Sequence, residues 1–399
     1  MGFLSRAAAL VAVAAATALG VPGAAADRAA DGVVPGSYIV ALDAADPAAV
    51  AAEHGRRLGV SVDYVYRSAL RGYAARMSAQ TARRLSEDGR VRAVTPDRTV
   101  QLTAQTVPPG IDRVDADVSS AASGDGKGSV DVDIAVIDTG IDAKHRDLTV
   151  AGGASCVGGT FRDGIGHGTH VAGIAAARDN RTGVVGVAPG ARLWAVRVFT
   201  SNGLGTLASV LCGVDWVTAN AGTIEVANMS LGAFAPEGSC TDGGLHEAIC
   251  ASVDAGVTYV VAAGNDATNA AQFVPASYDE VITVSAVADF DGRPGGLAAP
   301  TCPTGHDDTF AAFSNFGPDV DLTAPGVCVL STVPGSGYAT YSGTSMSSPH
   351  VAGAAALYAS THPGATPAEI KAALTAAGTL DWLGDRDTVQ EPLVNVGAF

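Results

Sequence analysis

Cysteine is missing from the first 155 residues of this 399-residue chain. Nowhere do two cysteines form a Cys-x-x-Cys pair, which speaks against a metal site built on them. Charge is sparse, with 16% of residues charged, and the balance is acidic, at a formal net charge of −16. A nucleic-acid partner needs a clustered basic face, and this composition opposes one. Beyond the N-terminal leader no apolar run reaches the roughly 18 residues of a membrane span. What is abundant points elsewhere. A hydrophobic content of 47% with 49 glycines suits a compact, loop-rich α/β protein rather than a disordered one. The length allows a large core and a second, smaller domain.

Arg6, the apolar run Ala7 to Val21 and Ala24-Ala25-Ala26 before Asp27 read as a secretory signal peptide over 1–26. The six cysteines, at 156, 212, 240, 250, 302 and 328, then read as disulfides of an exported protein. Proximity in sequence favours Cys240–Cys250, followed by Cys302–Cys328 and Cys156–Cys212. Residues 27–103 hold 11 arginines against 9 acidic residues, a net of +2, whereas residues 104–399 hold 12 basic against 31 acidic, a net of −19. A basic module followed by an acidic one suggests that the two associate.

The first module alternates short apolar strands (Tyr38–Leu42, Val62–Tyr66, Gly72–Arg76, Val91–Val94) with helical segments at Pro47–Leu58 and Ser78–Asp88. The order β-α-β-β-α-β is the ferredoxin-like arrangement. The tail from Val100 to Gln105 leads to Pro108-Pro109-Gly110 and reads as a linker, in the sharper reading a cleavable one.

From Val130 strand candidates (Val132–Ile137, Leu193–Phe199, Val226–Ser230, Val257–Ala262, Val281–Val287, Val327–Thr332) alternate with helical runs at Gly168–Ala177, Thr206–Ala219 and Leu245–Ala255. Such a pattern predicts a doubly wound, mostly parallel sheet covered by helices on both faces. Ligands of such sheets bind beyond the carboxyl ends of the strands, so polar residues there are the site candidates. Asp138 follows Ile134-Ala135-Val136-Ile137, and a buried carboxylate needs a partner, though it could equally cap the turn. His167 enters a helix in Gly-His-Gly-Thr-His-Val-Ala-Gly. His170, three residues on, suggests a metal pair, but the Glu of His-Glu-x-x-His is absent. Asn265 closes Ala262-Ala263-Gly264-Asn265, as a turn-former or as an amide donor. Ser345 opens Gly-Thr-Ser-Met-Ser-Ser-Pro-His-Val-Ala-Gly, with Pro349 expected in the first helical turn. There it is an N-cap serine or a nucleophile at the positive end of a helix.

In the order Asp, His, Asn, Ser these motifs, Val-Ile-Asp138-Thr-Gly, Gly-His167-Gly-Thr-His-Val-Ala-Gly, Ala-Ala-Gly-Asn265 and Gly-Thr-Ser345-Met-Ser-Ser-Pro-His-Val-Ala-Gly, resemble those of the subtilisin-like serine proteases, closest to the proteinase K branch. Residues 36–103 resemble the inhibitory propeptide of such enzymes. The resemblance implies the domains 1–26, 27–103 and 104–399, and a secreted serine endopeptidase made as a self-processing zymogen. Ser345 would be nucleophile, His167 general base, Asp138 its orienter and Asn265 an oxyanion donor. It assigns polypeptide substrate to two rims, Gly203-Leu204-Gly205 and Ser230-Leu231-Gly232, with Ala262, Ala263 and Gly264 leaving an open pocket for an apolar or aromatic P1 side chain. It implies no cofactor for catalysis but a structural calcium, held by the carbonyls of Asp279 and Val281 and the carboxylate of Asp321. A monomer without a membrane span is expected, and His170 and His350 are expected to be structural. Residues 290–308 depart from the pattern as an insertion containing Cys302. A binding protein on the same fold is opposed by the intact four-residue set, and a lipase or esterase by the lack of Gly-x-Ser-x-Gly at Ser345. A narrow processing protease usually carries a further β domain. Only 54 residues follow Ser345 here, read as a helix, Pro367 to Ala377, and a short tail.

Overall fold

The computed structural model describes residues 33–98, 105–387 and 389–399. The leader at 1–26, the tail from Gln101 and most of the linker read near 103–105 lie outside them. The described residues form two compact units.

The first unit runs β1 (Val33–Leu42), α1 (Pro47–Leu58), β2 (Ser61–Tyr66), β3 (Gly72–Arg76), α2 (Ala79–Leu85) and β4 (Val91–Arg98). Its sheet has the order β2-β3-β1-β4, antiparallel throughout. Asp46 caps α1 by accepting the Ala48 N–H, Pro47 takes the first position, and Gly59 closes the helix at φ 67°, a stop that a residue without Cβ adopts freely. Val40, Leu42, Val50, Tyr73 and Leu85 form its core.

The second unit contains α3 (Pro109–Arg113), β5 (Asp133–Asp138), β6 (Val150–Ser155), α4 (His167–Ala176), β7 (Arg192–Arg197), α5 (Leu207–Ala219), β8 (Val226–Met229), β9 (Ala233–Phe234) and α6 (Leu245–Asp254). There follow β10 (Thr258–Ala262), β11 (Phe273–Val274), β12 (Ile282–Ala288), β13 (Thr309–Phe310), β14 (Leu322–Pro325), β15 (Val329–Val333), β16 (Gly337–Tyr341), α7 (Thr344–Thr361) and α8 (Pro367–Ala377). The central sheet has the order β13-β12-β10-β8-β5-β7-β6, with β14 also beside β12. Every pairing in it is parallel except that of the two-residue β13. β5 is fully buried, which is why its sequence is a continuous apolar run. One core joins the sheet to α4, α7 and α8, and the other joins its opposite face to α5 and α6. Because β7 lies on one side of β5 and β8 on the other, the chain leaves β5 at the point where strand order reverses. A crevice opens there.

Three local expectations are corrected. The run at Val327–Thr332 does form a strand, β15, but it stays out of the parallel sheet and pairs antiparallel with β16. Gly335 and Ser336, at φ 83° and 59°, fold it back at once, and the local partner wins. The places beside β7 and β12 go to β6 and β14, which apolar runs did not reveal, since β6 reads Val-Ala-Gly-Gly-Ala-Ser. Finally, α7 begins at Thr344, so Pro349 lies inside the helix rather than in its first turn. The three expected disulfides form, with Cα separations of 5.9, 5.7 and 6.4 Å.

Candidate active site

Asp138 is the last residue of β5 and is fully buried. One of its oxygens accepts the Thr139 N–H at 2.6 Å. His167, the first residue of α4, donates from Nδ1 to the same carboxylate at 2.8 and 2.9 Å. An ionised carboxylate only accepts, so the proton sits on Nδ1 and Nε2 keeps a free lone pair. Burial by itself would push the His167 pKa down. The charge of Asp138 and its hydrogen bond, aided by Asp163, outweigh burial, and the net direction is up.

The close approach of α4 to β5 depends on Gly168. A Cβ there would run into the Gly140 carbonyl and stand 3.2 Å from Asp138 Oδ1. Asp163, which sequence reasoning missed, stitches the corner together. Its Oδ1 accepts from the Thr139 hydroxyl and from the N–H groups of Ile165 and Gly166, and its Oδ2 from the Thr169 N–H and hydroxyl. Its only signal is its place four residues before His167.

Ser345 is the second residue of α7 and half-buried. Its hydroxyl donates to the Ser230 carbonyl at 3.3 Å. Among the described residues no hydrogen bond joins it to His167. Pro349 has no N–H to give the Ser345 carbonyl four residues earlier. The Ser230 hydroxyl fills that gap, donating to the Ser345 carbonyl at 2.9 Å. Its lone pairs in turn accept from Asn228 Nδ2 at 3.0 Å and from the Ser348 hydroxyl at 2.9 Å, so every bond a hydroxyl can make is used. Ser230, expected as a substrate rim, thus also holds the Ser345 backbone. Asn228 and Ser348 enter as its supports.

Asn265 lies exposed, three residues past β10. Its Oδ1 accepts from the Thr344 N–H at 2.9 Å and the Thr344 hydroxyl at 3.0 Å, which leaves Nδ2 facing outward. Gly343, at φ 150°, passes directly beside it. A side chain there would stand 3.6 Å from Nδ2 and 3.8 Å from the Ser345 nitrogen. The amide and the first turn of α7 therefore border one space.

Val261 pairs with Met229, which sets Ala262 beside Ser230. Gly205, Leu231 and Gly232 line one cavity of about 100 Å³ with Phe199, Leu207 and Leu245, so residues of the two predicted rims meet. Gly203 turns at φ 79° in the neighbouring loop. Gly232 and Gly264, both expected at the pocket, pack against one aromatic ring. The ring of Phe273 fills the space where a Gly232 side chain would go and comes within 3.0 Å of a Cβ built on Gly264. Distance along the chain hid it.

His170 and His350 are structural, as expected. His170 bonds to the Ala339 carbonyl and stacks on Tyr341, and His350 bonds to the Met346 carbonyl. Burial pushes both down to about 4, so they stay neutral. The three oxygens expected to hold calcium do converge, but on an ammonium group. Lys371 Nζ lies 3.0 Å from the Asp279 carbonyl, 2.7 Å from the Val281 carbonyl and 2.8 Å from Asp321 Oδ1. The residues present fit a lysine there, not a divalent ion.

The mostly parallel, doubly wound sheet with helices on both faces is the subtilisin-like α/β fold. The chain belongs to the Subtilase family, whose model matches residues 129–392, and residues 37–103 match the Peptidase inhibitor I9 family. It is 42% identical to Subtilisin DY of Bacillus licheniformis, over 74% of this chain and 99% of that protein. It is 37% identical to Subtilisin NAT of Bacillus subtilis subsp. natto, over 90% of this chain and 87% of that protein. The crystal structure of a cold adapted subtilisin-like serine proteinase matches with a TM-score of 0.60 at 32% identity, covering 73% of this chain and 98% of that one. The protein is a serine endopeptidase.

Proposed function

We propose that this protein is a secreted endopeptidase of broad specificity that hydrolyses peptide bonds through an acyl-enzyme on Ser345. The observation that carries the reading is the Asp138–His167 bond, which fixes the tautomer with its free lone pair on Nε2. The Ser345 hydroxyl turns from the Ser230 carbonyl to His167 when substrate enters, since such bonds are often loose in the free enzyme. His167 takes its proton, Ser345 Oγ attacks the carbonyl, and the imidazolium returns the proton to the leaving amine. Asp138 orients the ring and stabilises its cation. Asn265 Nδ2 and the Ser345 N–H hold the oxyanion. Fluorophosphonate labelling with peptide mapping tests this: label is expected on Ser345, and label elsewhere, or none, overturns it.

Extended peptide adds as a strand along Gly203–Gly205 and Ser230–Gly232, whose main-chain bonds tolerate many sequences. The small residues Gly232, Ala262, Ala263 and Gly264 support a preference for apolar or aromatic P1. A peptide profile demanding Arg or Lys at P1 contradicts this. The placement in the proteinase K branch rests on the motifs alone. The I9 match supports a zymogen whose first unit aids folding and inhibits the second until the linker near 103–105 is cut by the enzyme itself. The 1–26 leader and three disulfides support export to an oxidising exterior, as a monomer. Calcium at Asp279, Val281 and Asp321 is not part of the proposal.

Two results are expected here. Asn265→Ala should lower kcat by about 10²–10³ with KM little changed, a magnitude carried over from a subtilisin lacking this kind of amide. Steady-state kinetics on a chromogenic peptide check it, and a loss confined to KM would assign Asn265 to substrate binding. Second, the base must be neutral, so kcat/KM rises as pH climbs through the His167 pKa. Asp138 raises that pKa above 6.5, so the acid limb should lie on the alkaline side of the ordinary imidazole value. A limb at or below 6.5 in the pH profile would show that Asp138 does not act on His167 as described.

A further inference from the structure

Three segments far apart in sequence meet where α8 crosses the sheet. The carbonyls of Asp279 and Val281 stand just before β12, Asp321 just before β14, and Lys371 in the second turn of α8. The two strands are direct neighbours, with Val284 opposite Leu322. We propose that Lys371 is the built-in cation of this junction, its ammonium group taking the position that the family resemblance gives to calcium, so that a divalent ion binds here only once Lys371 is removed.

Stoichiometry and lengths carry the proposal. An ammonium has three N–H donors, and three oxygens surround Nζ at 2.7, 2.8 and 3.0 Å. Those are N–H···O lengths. Calcium takes six to eight oxygens at about 2.3–2.6 Å. The carboxylate is aimed by the backbone, because Asp321 Oδ2 accepts the Thr283 N–H at 2.9 Å. Of the three acceptors only Asp321 accepts through a carboxylate, and the Lys371 ammonium pairs with it directly. A cation on a covalent tether cannot be diluted away or chelated, so the junction of α8 with β12 and β14 does not depend on a free ion.

The test uses the full chain carrying Ser345→Ala, which prevents self-digestion, and counts bound calcium by titration calorimetry while following Tm in chelator and in millimolar calcium. Lys371→Met should lower Tm in chelator by several degrees, bind one more calcium than its parent, and regain much of the lost Tm when calcium is added. Adding Asp321→Asn to Lys371→Met should abolish the extra calcium. In the Lys371-containing chain Asp321→Asn should leave the calcium count unchanged. That arm decides the matter even if the Met variant folds poorly, because a calcium lost there would mean that the ion displaces Lys371 in the native protein. That result, or a Lys371→Met chain that binds no additional calcium, overturns the proposal.

Discussion

Replacing Ser345 by alanine is expected to cut kcat by about 2 × 10⁶, the loss found when a subtilisin loses its nucleophile or its base alone. The same change should leave the two units joined. The magnitude is large because the proposed covalent step has no substitute: among the described residues the neighbouring hydroxyls, Ser230 and Ser348, are committed to each other and to the Ser345 carbonyl. Asn265 and the N-terminus of α7 remain in Ser345→Ala, so a residual rate of about 10³–10⁴ over water should survive. Adding His167→Ala should cost little more, since the base has nothing left to activate. Kinetics on a chromogenic peptide measure the first effect, and the chain length of freshly expressed protein reports the second. A Ser345→Ala chain still cut near 103–105 without added protease would contradict self-processing.

The second large effect concerns stability. Arg113→Met should destabilise the second unit by about 3–5 kcal/mol, the cost of breaking a buried ion pair from one side, or roughly 10 °C in Tm. Arg113 is 3% exposed. Its Nε lies 3.0 Å from Asp308 and 3.1 Å from Asp289, and its Nη2 2.8 Å from Asp381. It thereby clamps α3 to the C-terminal segment and to both ends of the 290–308 insertion, for which the sequence suggested only a disulfide-tethered loop. The insertion is itself wound on carboxylates. Asp307 accepts the N–H groups of Phe290 and Ala298, and Asp308 those of Gly295 and Gly296.

Burial pushes Asp289 up to about 7 even with Arg113 beside it. The folded state therefore holds a proton that the unfolded chain gives up, and Asp289's contribution falls as pH rises from about 4 toward 7. Without Arg113 its pKa climbs further. The deficit of Arg113→Met should then be smallest near pH 4 and largest above neutrality. Thermal unfolding in the Ser345→Ala background measures it, and an equal loss at both ends of the range would mean lost packing rather than lost charge.

Much of the candidate site is legible in the sequence because its chemistry is carried by short local motifs. Asp138 is marked by an apolar run that must be a buried strand, and His167 and Ser345 by glycine-flanked helix starts. The ferredoxin-like order of the first unit is legible for the same reason: period and turn residues act within a few positions. The misreadings at β6, β14 and β15 fall where local signals are weak or a hairpin partner lies closer than the sheet.

By itself, then, the sequence determined the doubly wound class and marked the four residues of the candidate centre, while for the disulfides it offered only proximity, and the fold settled the three pairings. Only the tertiary structure decided what stands beside them. Ser230 serves the Ser345 carbonyl because Pro349 cannot, Phe273 packs against Gly232 and Gly264 from a distant stretch of chain, and Lys371 fills a place expected to hold an ion. Strand and helix formation answer to neighbours within a turn, whereas charge balance and hydrogen-bond satisfaction are settled among groups that only folding brings within 3 Å or so.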